Sequence, residues 1–164
     1  MRPKPTPPEL IKRLGYDSSS PTGLIWVKPT SRRTAVGSVA GCYFNGGYYR
    51  VHYQDKTYSA HRLVWELHAG PLGAEWDVDH RDTIKTNNDI TNLRLATHSQ
   101  NQHNQNMTTK NQHGVKGLVY SCGSWIGLIS SNGIPYKFRS EDRDEVEAWL
   151  LAKRKELHGV FARN

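Results

Sequence analysis

The chain is poor in cysteine and in hydrophobic residues, and both shortages restrict what it can be. Only two of its 164 residues are cysteines, Cys42 and Cys122, and neither has a partner at C-x-x-C spacing. This excludes a cysteine-ligated zinc knuckle and a disulfide framework, and it favours a reducing, intracellular setting. Hydrophobic residues make up 36% of the chain. No apolar run approaches the length that spans a bilayer, and no signal peptide is recognisable. We therefore expect modest cores in one or two small domains.

Basic residues outnumber acidic ones, and the excess is not confined to a tail. The chain has 22 Lys and Arg against 15 Asp and Glu, a formal net charge of +7, and both of its halves are mildly positive. Such a balance favours a polyanionic partner, because contacts to phosphates release condensed counterions. If the partner is a nucleic acid, both halves are able to contact it.

Turn residues and alternating side chains divide the first part of the chain into short elements. The proline-rich residues 1–20 are expected to form a loose arm. Residues 21–58 are predicted to be β structure, with strands at 23–27 and 48–53 and a short partner strand before the first long helix. That helix is predicted over 60–69, with Ser59 as its N-cap and a Gly-Pro pair closing it.

The remaining residues predict a second pattern of strands and helices. A strand ending at His80, a polar loop, a strand at 93–96 and a helix over about 100–106 follow one another. Residues 107–114 are rich in Asn, Gln and Thr and are predicted to be a linker. The last segment, 115–164, is predicted to form three strands and a long helix, at 116–120, 125–130, 136–139 and 141–158.

Four polar side chains in the segment VDHRDTIKTNNDITNLRLATHSQNQHN, residues 78–104, are candidates for catalysis. Asp79 and Asn101 offer oxygen ligands, which suit Mg²⁺ or Mn²⁺. The reference pKa of histidine lies near 6.5, so neutral His80 is available at pH 7 as a general base. A hydrogen bond from one ring nitrogen to the carbonyl of Asn92 would fix the tautomer in which the other nitrogen takes a proton from water.

The same segment resembles the HNH nuclease signature, in the branch found in phage genomes and mobile introns. The matching residues are Asp-His-Arg-Asp at 79–82, Asn-Asn at 87–88 and Asn-Leu-Arg at 92–94. The resemblance implies a ββα-metal finger in which Asp79 and Asn101 hold one divalent cation, His80 is the base, and Asn92 orients it. Asn101 replaces the final histidine of the motif, a common variant in this branch. Because a carboxamide is uncharged, the cation is expected to bind weakly until phosphate arrives.

Other polar residues of this region have simpler explanations. Asx side chains bond their own backbone in loops, which is the role expected for three of them: Asn87, Asn88 and Asp89. A helix cap, a linker and a solvent-facing position explain His98, His103 and Asn104. His61 and Arg62 are expected to pack at a helix start, with phosphate contact by Arg62 as the alternative. Two more arginines are candidate DNA contacts, with ordinary surface exposure as the alternative: Arg81 and Arg94.

Residues 115–164 resemble the plant ethylene-response-factor, or Apetala-type, DNA-binding domain. The resemblance lies in the three strands, the long helix and the ending ELHGVFARN. It implies double-stranded DNA as partner, contacted from the sheet by Lys116, Lys137 and Arg139. The sheet has fewer arginines than its relatives and carries serines in their place, which favours positioning of the substrate over reading of its sequence.

The sequence therefore predicts an α+β protein with a nuclease domain at 21–106 and an Apetala-like domain at 115–164. We expect a metal-dependent DNA endonuclease, encoded by a phage and acting in the host cytoplasm, of the kind that includes free-standing homing endonucleases. One finger acts on one strand, so a monomer should nick, whereas a homodimer would cut both strands. A catalytically silent DNA-binding protein and a metal-dependent RNA nuclease are the alternatives.

Overall fold

The protein forms two compact units that divide between Ala96 and Thr97. The computed structural model describes residues 5–103, 113–131 and 133–159. The start of the predicted arm, the predicted helix end beyond residue 103 and most of the predicted linker lie outside these ranges. The fold class is α+β with small antiparallel sheets, as the sequence predicted. The division lies earlier in the chain than the predicted linker, and the predicted domain limits stay a prediction. No helix in the described ranges is long and apolar enough to cross a membrane.

The described part of the first unit contains short strands in small sheets, two α-helices and a 3-10 helix. In chain order the α-helices and strands are α1 (Pro8–Ile11), β1 (Leu14–Tyr16), β2 (Leu24–Trp26), β3 (Cys42–Phe44), β4 (Tyr48–Tyr53), β5 (Lys56–Ser59), α2 (Ala60–Ala69), β6 (Trp76–His80) and β7 (Leu93–Thr97). Strands β1 and β2 pair, β3, β4 and β5 form one sheet in that order, and β6 pairs with β7. The predicted bounds of β4 and α2 are confirmed, and Ser59 occupies the N-cap position of α2 without a side-chain capping hydrogen bond.

The core of the first unit includes the residues that were expected to form a loose arm. Leu10 is fully buried and Leu14 is 4% exposed, and both pack in one cluster with Leu24, Leu63 and Val64. Burial of a leucine side chain stabilises a fold by about 2 kcal/mol, which opposes part of the entropy lost in ordering a short segment. The prediction of a loose arm is therefore wrong for residues 8–16. The structure places α1 and β1 there, and β1 pairs with β2.

The second unit contains the predicted three-stranded antiparallel sheet and long helix. Its described elements are α3 (His98–His103), β8 (Leu118–Ser121), β9 (Ser124–Ser131), β10 (Ile134–Ser140) and α4 (Arg143–His158), with β9 at the centre of the sheet. The side chain of Asp142 caps α4 by accepting a hydrogen bond from the backbone N–H of Asp144 at 2.8 Å.

Helix α4 packs against one face of this sheet. Gly127 of β9 lies so close to α4 that a Cβ atom there would stand 3.0 Å from side-chain atoms of both Val146 and Leu150. These two residues and Leu118 form the buried core of the unit. The face of the sheet that contains Gly127 is therefore covered, and residues one position away along each strand lie on the opposite face.

Candidate active site

The end of strand β6 brings a buried carboxylate and a buried imidazole together in sequence. Asp79 is 7% exposed and His80 is 4% exposed. The chain then passes through a polar loop and a short 3-10 helix (Ile90–Asn92) before it returns as β7. The N–H of Arg81 donates to the carbonyl of Asn92 at 2.9 Å, which closes the loop at its base. Both candidate residues thus lie where a strand meets a closed loop.

The side chain of Asn92 holds this loop together and does not bond to His80. Its Oδ1 accepts a hydrogen bond from the N–H of Asp82 at 3.1 Å, and its Nδ2 donates to Oδ1 of Asp82 at 3.0 Å and to the carbonyl of Asn87 at 2.9 Å. These bonds use both ends of the carboxamide. The hydrogen bond expected between Asn92 and His80 is therefore absent from the described part of the chain.

Asn88 is the residue that bonds the imidazole. Its Oδ1 lies 3.1 Å from Nε2 of His80, and its Nδ2 donates to the carbonyl of Thr22 at 2.9 Å. Asn88 was expected to bond its own loop, as its neighbour does: Nδ2 of Asn87 donates to Oδ2 of Asp82 at 2.7 Å. The sequence offered a signal in the Asn-Asn pair, but the partner Thr22 lies in another loop, between β1 and β2.

Burial lowers the pKa of His80 below its ordinary value, although the bond to Asn88 acts in the opposite direction. The imidazole is therefore mostly neutral at pH 7. A neutral ring is able to accept a proton, which is the state that a general base requires.

Arg94 of β7 forms an ion pair with Asp79. Its Nε and Nη2 atoms lie 2.9 Å and 2.8 Å from the same oxygen, Oδ2, and both side chains are largely buried. Arg94 was a candidate DNA contact, and the structure shows it bonded to the predicted metal ligand. Two donors on one carboxylate oxygen fix the orientation of the whole group.

Two aromatic rings lie near the imidazole of His80. The ring centroid of His61, from the first turn of α2, lies 5.0 Å from that of His80, and the ring of Tyr48 from β4 lies 6.0 Å away. Burial, followed by the charge of His80, lowers the pKa of His61 to about 3. His61 is thus neutral over the physiological range. Sequence reasoning placed it at a helix start and did not connect it to His80.

The remaining candidate DNA contacts occupy different environments. Arg62 donates from Nη1 to the carbonyl of Trp76 at 3.1 Å, which ties α2 to β6, whereas Arg81 has an exposed side chain. Lys116 precedes β8 instead of lying within it, and burial lowers its pKa. Lys137 and Arg139 are exposed on β10.

The predicted cation ligands can be compared with the chemistry that a hard cation requires. Within residues 5–103, 113–131 and 133–159, no three His, Cys, Asp or Glu side chains converge as a metal site. Asp79 offers carboxylate oxygen atoms of the kind that Mg²⁺ prefers. Asn101, the other predicted ligand, lies on α3 in the second unit. The chemistry of both side chains fits a hard divalent cation, and their role as its ligands stays a prediction.

Comparison with known proteins connects these residues to a family. The family described as HNH endonuclease matches residues 58–103, a segment that contains β6, the polar loop and β7. Protein 3.8 of Escherichia phage T7 is 40% identical over 105 residues, which cover 63% of this chain and 87% of that protein. An uncharacterised HNH endonuclease, L560, of Acanthamoeba polyphaga mimivirus is 33% identical over 116 residues, or 70% of this chain and 60% of the viral protein. No solved structure gives a significant match. HNH nucleases generally use a divalent metal. The family match and the identity to the phage protein show that this chain belongs to the HNH endonuclease family.

Proposed function

We propose that the protein is a metal-dependent DNA endonuclease and that His80 is its general base. The observation that supports this most is a buried, mostly neutral imidazole directly after a buried carboxylate, inside the segment that matches the family. Hydrolysis of a phosphodiester needs an activated water, charge stabilisation at the phosphate and an in-line arrangement of the attacking and leaving oxygens. His80 takes the proton from the attacking water.

Asp79 and Asn101 are the proposed ligands of the cation, as the sequence predicted. A bound Mg²⁺ or Mn²⁺ supplies charge stabilisation at the phosphate and at the leaving 3′ oxygen. Arg94 holds Oδ2 of Asp79, so the carboxylate keeps one orientation before and after the substrate arrives. Asn92 maintains the loop between β6 and β7, where its carboxamide bonds to Asp82 and Asn87.

We also propose that the uncovered face of the second sheet contacts double-stranded DNA. Lys137 pairs with Leu128, and Arg139 pairs with Ile126, whereas Phe138 between them pairs with Gly127 on the covered face. Lys137 and Arg139 therefore lie on the face opposite α4. Two cations on an open sheet attract phosphates without reading the base sequence. The Apetala-type assignment rests on this arrangement and on the sequence resemblance.

A monomer with one such site is expected to nick one strand of DNA, and a homodimer would cut both. The relatives are proteins of a phage and of a giant virus. We extend the proposal accordingly to a virus-encoded enzyme that acts inside the host cell.

A supercoiled-plasmid assay tests the proposal. Wild-type protein is incubated with Mg²⁺, Mn²⁺ or EDTA beside His80→Ala and a control, His52→Ala, whose side chain is exposed on β4. We expect open-circle product that requires metal and whose rate falls by a factor of about 10² to 10⁴ in His80→Ala. The control should cleave at the wild-type rate.

The outcomes separate the alternatives. Folded wild-type protein that shifts plasmid DNA without cutting it under any metal condition would make the silent DNA-binding protein the better interpretation. Faster cleavage of an RNA duplex than of the matched DNA duplex would assign the site to RNA.

A further inference from the structure

Two hydrogen bonds hold the carboxamide of Asn88 in one orientation, one at its donor end and one at its acceptor end. The carbonyl of Thr22 only accepts hydrogen bonds, so the Nδ2 group of Asn88 must face it, at 2.9 Å. Oδ1 consequently faces Nε2 of His80, at 3.1 Å. Asn88 is 4% exposed and Thr22 is 1% exposed, so water does not compete effectively for either bond.

This orientation specifies the tautomer of the base. A carboxamide oxygen has no proton to give, so Nε2 of His80 must carry the hydrogen and donate it to Asn88. In the neutral ring the lone pair then lies on Nδ1, and that atom is the one able to receive a proton from water.

The loop that carries Thr22 is shaped to approach Asn88 closely. Gly23 has a φ of +75°, a left-handed conformation that favours glycine. A Cβ atom at this position would lie 3.3 Å from both Cβ and the carbonyl oxygen of Asn88, and 3.1 Å from Cγ2 of Val64. Position 23 therefore needs glycine for its conformation and for the space that Asn88 fills.

We propose that Asn88, anchored by the carbonyl of Thr22, is the positioning residue that fixes the tautomer and ring orientation of His80. The proposal rests on the proposed nuclease function, in which His80 is the base. It gives Asn88 the role that the motif resemblance implied for Asn92, whose carboxamide is engaged within the loop by Asp82 and Asn87. It also makes the β1–β2 loop, far from the motif in sequence, part of the machinery that orients the base.

The experiment combines imidazole ¹⁵N spectra with single-turnover and steady-state cleavage, using the full chain at about pH 8, where free imidazole is neutral. In wild-type protein we expect a single His80 tautomer with the proton on Nε2. In Asn88→Ala the form with the proton on Nδ1 should become populated. The value of kcat should fall by a factor of about 10 to 100, while KM for plasmid changes little, because loss of an orienting partner acts on the chemical step.

Two further variants separate positioning from a structural role. Asn88→Asp keeps an acceptor for Nε2 and loses the donor to Thr22, so it should keep the wild-type tautomer and recover kcat to within about tenfold. Asn87→Ala removes a bond to Asp82 in the same loop without touching His80, and it should leave the tautomer unchanged. A third variant, Gly23→Ala, should displace Asn88 and shift the tautomer in the same direction as Asn88→Ala.

A single Nε2-protonated form in folded Asn88→Ala would overturn the proposal, and so would equal tautomer changes in Asn87→Ala and Asn88→Ala. If the alanine variant does not fold, mixed tautomers in folded Asn88→Asp would overturn it instead. If wild-type protein cleaves nothing, the nuclease proposal fails, but the spectra still decide whether Asn88 fixes the imidazole.

Discussion

Replacing His61 by glutamine is expected to make the first unit less sensitive to acid. His61 is 9% exposed at the start of α2. Burial comes first among the causes that lower its pKa to about 3, and the positive charges of His80, Arg62 and Arg50 add to it. The folded protein therefore excludes a proton that the unfolded chain binds at ordinary acidic pH.

The direction and size of the effect follow from proton linkage. The ordinary pKa of histidine is 6.5, and the pKa of His61 in the folded protein is about 3. The folded protein keeps its full free energy of unfolding with respect to this group above pH 6.5. As the pH falls from 6.5 toward 3, protonation of His61 in the unfolded chain lowers that free energy progressively. At pH 5 the loss is about 2 kcal/mol, since each pH unit below 6.5 costs about 1.4 kcal/mol. Glutamine does not titrate, so His61→Gln should remove this part of the pH dependence.

Urea unfolding at pH 7.5 and pH 5, followed through amide resonances of the first unit's core, measures the effect. The resonances of Val51, Leu63 and Val64 are suitable reporters, because all three residues are fully buried. The variant also loses ring contacts at every pH, so the quantity to compare is the change in unfolding free energy between the two pH values. His52→Gln, at an exposed position of β4, is the matched control. Equal acid losses in wild-type protein and His61→Gln would refute the reasoning.

Three further predictions concern other parts of the molecule. Arg94→Met should lower the free energy of unfolding in EDTA by about 3 kcal/mol, because it removes the guanidinium group from a buried ion pair and leaves the carboxylate of Asp79 without it. Mg²⁺ should then raise the melting temperature of the variant more than that of wild-type protein. Equal effects of Mg²⁺ on the two proteins would contradict this. Replacing Lys137 and Arg139 together by serine should reduce the slope of log K for DNA against log salt by about 2 in gel-shift titrations. An unchanged slope would show that the open sheet face does not contact the DNA phosphates. Leu10→Ala should lower the free energy of unfolding of the first unit in urea by about 2 to 5 kcal/mol. The exposed control Val36→Ala should lower it by about 0.5 kcal/mol or less. Similar losses in the two variants would show that α1 is not part of the core.

Local signals in the sequence predicted several elements well. Strand β4 and helix α2 were predicted with the bounds that the structure shows, because alternation, a turn and a Gly-Pro ending are all encoded by neighbouring residues. The three strands and helix of the second unit were predicted for the same reason. Asp79 and His80 were identified from their adjacency, and the structure places both in buried positions at the end of β6.

Features that depend on distant partners were not predictable in this way. Helix α1 and strand β1 are ordered because Leu10 and Leu14 pack against residues far along the chain. The proline-rich composition of this segment instead favoured the prediction of a loose arm. The choice between Asn88 and Asn92 is of the same kind. Both are asparagines of one loop, and the carbonyl of Thr22, brought near by folding, orients Asn88 toward His80. The spacing of a motif indicates which residue types are candidates for a site. Contacts formed on folding decide which of these residues bond to each other.

The shared core of the first unit limits how the motif can be moved between proteins. The segment 58–103 that matches the family contains Leu63, Val64 and His80, the proposed base. It contains neither Thr22, which bonds to Asn88, nor the core residues contributed by β1, β2 and β4. Transplanted alone into another protein, it would carry its reactive groups without the contacts that orient them. Recombination that transfers the complete first unit together with residues 97–103 would preserve those contacts, so the portable segment of this protein is longer than its family signature.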